Sequence, residues 1–107
     1  MPRNRRGRGR CRRFVATMPP VDRFQPWGNT PGGPPITMLV EEVEVLRLVD
    51  LEGLEQEEAA QRMGISRRTL WNDLQLARKK VAQALVEGKA IVIEGGNYAY
   101  RGEEEVM

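Results

Sequence analysis

The chain of 107 residues has no histidine and one cysteine, Cys11. Without histidine, the commonest general base near neutral pH and the mixed Cys/His metal sites are unavailable. A lone thiol closes no internal disulfide, so Cys11 reads as a passive thiol in a reducing cytoplasm. No apolar run approaches the roughly 20 residues of a membrane span, and no apolar segment of a secretory signal follows the basic start. No nucleophile–base pair, metal cluster or phosphate-cradling loop stands out. Gly95-Gly96-Asn97 precedes no helix and reads as a turn. The expectation is a cytoplasmic protein that is not an enzyme, with no catalytic residue, cofactor, metal or membrane partner.

Charge is present, and it is unevenly spread. Seven of the 17 basic residues (Arg3, Arg5, Arg6, Arg8, Arg10, Arg12 and Arg13) fall in the first thirteen positions, where there is no acid. The remainder carries 10 basic against 15 acidic side chains, a net charge of −5. An unneutralised arginine arm attracts polyanions by Coulomb steering and counterion release. Further on, residues 41–58 hold eight acids and one base (Arg47), while residues 62–80 hold six bases and one acid (Asp73). The acidic stretch reads as a solvated face or a protein-binding one.

The pattern divides the chain into five stretches. Residues 1–13 read as a disordered Arg-rich arm. Residues 14–35 are a Pro/Gly-rich wrap with a short strand near Phe14-Val15-Ala16, tacked to the core by Phe24 and Trp27. Residues 36–88 form a three-helix domain. Its first helix is capped by Thr37, carries Glu41-Glu42 in its first turn and is closed by Gly53. The second helix spans about 56–63 and the third about 67–86. Residues 89–100 are a strand, Ala90-Ile91-Val92-Ile93, or a hairpin. Residues 101–107 are an acidic tail. Two partners are open to the strand: Tyr98-Ala99-Tyr100 across the Gly95-Gly96-Asn97 turn, or the run 13–16. The second is preferred because it anchors the arm. The fold class expected is mainly α, a helix-turn-helix with a disordered basic arm and one short C-terminal strand.

Four residues argue for that helix-turn-helix. Ala60 is small where two helices cross, Gly64 stands where the chain reverses, Ile65 fills the angle, and Ser66 caps the third helix. At 100° per residue, Leu70, Leu74, Ala77 and Val81 share one narrow sector, while Arg68, Asn72, Gln75 and Lys79 lie nearly opposite. Arginine pairs with guanine, and asparagine or glutamine with adenine. Arg67, Arg68, Asn72 and Gln75 are therefore the candidate base contacts. Ser66, Thr69, Arg78, Lys79, Lys80, Arg12 and Arg13 are the candidate DNA-backbone contacts. Trp71 flanks the apolar sector, where packing in the core is its default. Asp73 would repel phosphates, so it is expected to turn toward Arg62 or Arg68, or away from the DNA.

Residues 44–54, then Glu57-Glu58-Ala59-Ala60, Met63-Gly64-Ile65-Ser66-Arg67-Arg68-Thr69-Leu70, Leu74 and Ala77-Arg78 resemble region 4 of sigma-70-type factors, which reads the −35 promoter element. Over nearly the whole chain, Met1-Pro2-Arg3, Arg12-Arg13, Phe24-Gln25-Pro26 and the ending from Gly88 to Tyr98 look like uncharacterised protein family 0251, predicted prokaryotic DNA-binding proteins. The resemblance implies a bacterial or archaeal cytoplasmic protein that binds DNA, and the leading expectation is a transcription regulator acting on double-stranded DNA. A homodimer and a contact to RNA polymerase remain open. The alternatives are a sigma-like adaptor that binds polymerase or another protein, and an RNA-binding protein that uses the Arg-rich arm.

Overall fold

The computed structural model describes residues 12–28 and 32–102. Along them run β1 (Arg13–Val15), β2 (Arg23–Phe24), β3 (Ile36–Met38), α1 (Val40–Val45) with a π-helical continuation (Leu46–Leu51), α2 (Gln56–Met63), α3 (Arg67–Glu87), β4 (Ile91–Ile93) and β5 (Tyr98–Tyr100). β3 lies parallel to β4 in the register Thr37↔Val92, and β2 adds antiparallel to the other side of β4, giving the order β2-β4-β3. Parallel neighbours need a long crossover, and here all three helices supply it. A second sheet pairs β1 with β5, in parallel.

Two sheets with five strands overturn the mainly α, three-helix expectation. The molecule is a small α/β unit whose helices are inserted between two strands of one sheet. Strands of two or three residues are too short for alternation to register in the sequence. The pairing also differs from both expectations. Ile91–Ile93 takes Ile36–Met38 and Arg23–Phe24, while Tyr98–Tyr100 turns to Arg13–Val15. Thr37 therefore sits inside β3, and the residue that caps α1 is Leu39. Trp27 is 98% exposed and Phe24 is exposed in β2, so neither is buried as a core anchor. The first eleven residues of the arginine arm and the acids at 103–105 lie outside the described residues.

The core is in two parts. Val45, Leu48, Ala59, Ala60, Met63, Leu70 and Leu74 join the helices to one another, with Ile65 and Leu54 packed against them. Val15, Met38, Val40, Ala77 and Ile93 join the helices to the strands. The buried stripe read from α3 thus serves both parts: Leu70 and Leu74 face α2, and Ala77 faces the sheets.

Glu41, Glu42 and Glu44 are buried, which corrects their reading as a solvated or partner-facing surface. Each accepts a backbone N–H from a different part of the chain. Glu44 Oε2 takes Ala16 at 3.0 Å, Glu42 Oε1 takes Leu39 at 2.9 Å, and Glu41 Oε2 takes Asn97 at 3.3 Å. Lys80 and Arg47 supply countercharge, at 2.8 Å to Glu42 and 2.9 Å to Glu44. One acidic turn thereby holds the N-terminal segment, its own helix start and the C-terminal segment together. A Cβ at Gly96 (φ +109°) would run into the Glu41 carboxylate and force it to move.

Ala60 is buried where α2 meets α3. Ala60→Leu is expected to cost about 1–3 kcal/mol through overpacking, and the melting temperature should fall by about 4–8 °C per kcal/mol in a domain of this size. An unchanged melting curve would show that the helices do not approach closely at residue 60.

Candidate nucleic-acid interface

The turn between α2 and α3 is short and locally determined. Gly64 takes a left-handed conformation (φ 71°) that ends α2, and the Ile65 N–H returns to the Ala60 carbonyl at 3.0 Å. A non-glycine residue here would be strained, and its Cβ would fall 2.8 Å from the Phe14 ring, so β1 packs directly behind the turn. Ser66 Oγ accepts the Thr69 N–H at 3.1 Å, satisfying one of the unpaired donors at the start of α3.

Along α3 the structure separates the predicted site residues by environment. Arg67, Arg68, Asn72, Gln75 and Lys79 are all exposed, away from the buried Leu70, Leu74 and Ala77. None of Arg67, Arg68 and Lys79 has an ion-pair partner among the described residues. Ser66 is exposed, with its hydroxyl engaged in the cap and donating to Thr69 Oγ1 at 3.0 Å; Thr69 is half-buried. Arg78 is exposed and bound to Asp50 through two hydrogen bonds of 2.8 and 3.1 Å. That bond holds the Asp50 carboxyl below the usual carboxylate range and raises the Arg78 guanidinium. Asp50 therefore stays charged as pH falls toward its unfolded pKa, and the pair is lost only below it. Lys80 is half-buried on Glu42.

Arg12 is exposed, whereas Arg13 belongs to the interior. Its guanidinium is 3% exposed as a residue and lies bidentate on Asp73, with Nε donating to Oδ2 at 3.0 Å and Nη2 to Oδ1 at 3.2 Å. This removes Arg13 from the residues able to reach a phosphate. Of the directions expected for Asp73, it turns to neither Arg62 nor Arg68 but inward, away from the exposed strip of α3. Arg62 pairs instead with Glu58 at 3.0 Å.

Two residues join the exposed corner of α3 that reading along the helix passes over or places elsewhere. Trp71, whose default is burial, is 46% exposed, and with Gln56, Arg67 and Arg68 it lines a shallow depression of about 450 Å³. Gln56 opens α2, and its proximity follows from the chain reversal at Gly64 rather than from any local signal.

A family model described as a protein of unknown function, DUF134, matches residues 1–101. The chain belongs to this family. Among its DUF134-like relatives, a UPF0251 protein of Methanosarcina acetivorans is 55% identical over 87% of this chain and 84% of its own. One of Thermococcus kodakarensis is 57% identical over 88% and 77%, and one of Pyrococcus furiosus 51% identical over 98% and 100%. No solved structure matches the chain.

Proposed function

We propose that this chain is a cytoplasmic DNA-binding protein that regulates transcription, reading the major groove of double-stranded DNA with the exposed face of α3. The observation that carries the reading is the division of that helix. Arg67, Arg68, Asn72 and Gln75 are accessible along the first three turns of the helix that Ser66 caps, while the opposite residues are fixed in the core. A helix so placed, behind a short turn from a first helix, is the arrangement by which such pairs enter the major groove. Arg68, Asn72 and Gln75 supply base-pairing geometry, Trp71 an apolar edge beside them, and Lys79 and Arg12 phosphate contacts. The role is one of binding, with no catalytic step. No helix among the described residues is long and apolar enough to cross a membrane. Against the adaptor reading, three of the eight acids that suggested a protein-binding face are buried.

Arg68→Ala tests the reading. It is expected to weaken binding to the preferred duplex by about 1–3 kcal/mol and to relax base preference at one position. An equal loss on random duplex would leave Arg68 a phosphate contact only.

A further inference from the structure

On the far end of α3 from Arg67 and Arg68, a groove of about 650 Å³ runs between the last turns of that helix, the π-helical turn and residues 17–24. Its lining is almost entirely apolar, and it gathers Met18, Val21, Phe24, Leu51 and Leu85, five of the large hydrophobic side chains that the fold leaves exposed. Leu51 and Leu85 are each 79% exposed, so the walls stand up into solvent. A small ligand in such a trough would keep much of its surface in water, unlike one in an ordinary pocket, which buries most of it. A protein surface suits the shape better.

We infer that the groove is the interface of a two-fold homodimer, in which Leu85 and Val86 of each copy enter the groove of the other. Two features favour a second copy. The ridge and the groove adjoin, because Leu85 forms one wall while Val86, 84% exposed, is the next residue along the helix, about 100° round from it. A two-fold axis between them seats both ridges at once, so every contact is made twice. The groove is neutral: Asp50 and Arg78 on its walls neutralise each other, as do Glu44 and Arg47, and a copy of the same surface brings no unmatched charge.

The π-helical turn helps to build this surface. The Glu52 N–H reaches the Arg47 carbonyl, five residues back, at 2.9 Å. The widened turn ends with Leu51 out at the rim, facing α3 across the groove. If α3 reads DNA as proposed, the dimer also sets the spacing of its sites. Leu85 lies 18 residues from Arg67, about 27 Å along the helix. Two copies meeting there hold their reading ends at most about 54 Å apart plus the width of the contact, which accommodates half-sites one turn, about 34 Å, apart.

Sedimentation equilibrium of the full chain without DNA, at about 1–100 µM, tests the dimer directly. Association is expected in that range, and Leu85→Arg and Leu51→Arg, on opposite walls, should each weaken it at least about thirty-fold. Leu76→Arg, exposed on α3 but off the groove, should leave it unchanged. Circular dichroism checks that each variant keeps its helices; if one unfolds, the other decides. A monomer at the highest concentration overturns the inference. So does a dimer that neither groove variant weakens, one that Leu76→Arg breaks equally, or one that forms only when an apolar small molecule is added. Because no DNA is present, a failure here leaves the DNA reading standing, and a failure of the DNA reading leaves the dimer standing.

Discussion

Asp73→Ala should destabilise the fold by about 3–5 kcal/mol, the range for removing one partner of a buried ion pair. The two side chains are 4% and 7% exposed and meet through both oxygens of the carboxylate. Removing the carboxylate takes the bidentate partner from a guanidinium buried between β1 and α3. Chemical denaturation at neutral pH, followed by circular dichroism, gives the loss directly. The double replacement Arg13→Met with Asp73→Leu should recover most of it, because the buried charge goes together with its partner. A loss below about 1 kcal/mol for Asp73→Ala would mean that the pair is solvated.

Deleting residues 2–10 should leave stability unchanged while lowering affinity for every DNA sequence. The segment holds five arginines and, apart from Pro2, no apolar side chain larger than glycine. Arg13 ties the start of the described fold to α3, and exposed Arg12 precedes it, so the arm joins the body of the protein next to the reading helix. Each arginine–phosphate pair removed lowers the slope of log K against log salt by about 0.9, so removing two or three lowers it by about 2–3 units. Titrations at several salt concentrations on preferred and random duplexes read this out. Equal slopes would make the arm a bystander. Weakened binding of RNA alone would favour the RNA-binding alternative.

The helices and their turn are legible in the sequence because each carries a local physical signature. Gly64 supplies a left-handed backbone, Ser66 a cap, and the Leu70/Leu74/Ala77 spacing a buried stripe. The strands are not legible as pairs. β1 and β5 meet across more than eighty residues, and three-residue segments carry no register information. The charges mislead for a related reason. A run of arginines reads as one solvated arm, yet Arg13 shares its strand face with Val15 and is drawn inward with it. Asp73 does leave a signal: at 100° per residue it lies about 40° from Ala77, at the edge of the buried sector, where a carboxylate needs a buried cation. The acids at the start of α1 match the helix dipole, which explains them too easily. Their partners, the N–H groups of Ala16 and Asn97, come from distant parts of the chain.

The reading of α3 is tested most directly by selecting duplexes from a random pool with the full-length protein at moderate salt, in parallel with Arg68→Ala. The expected result is one recurrent motif for the native chain and the same motif with a single position relaxed for the variant. Recovery of no motif, or of the same motif with equal stringency by both proteins, would contradict base reading by this helix.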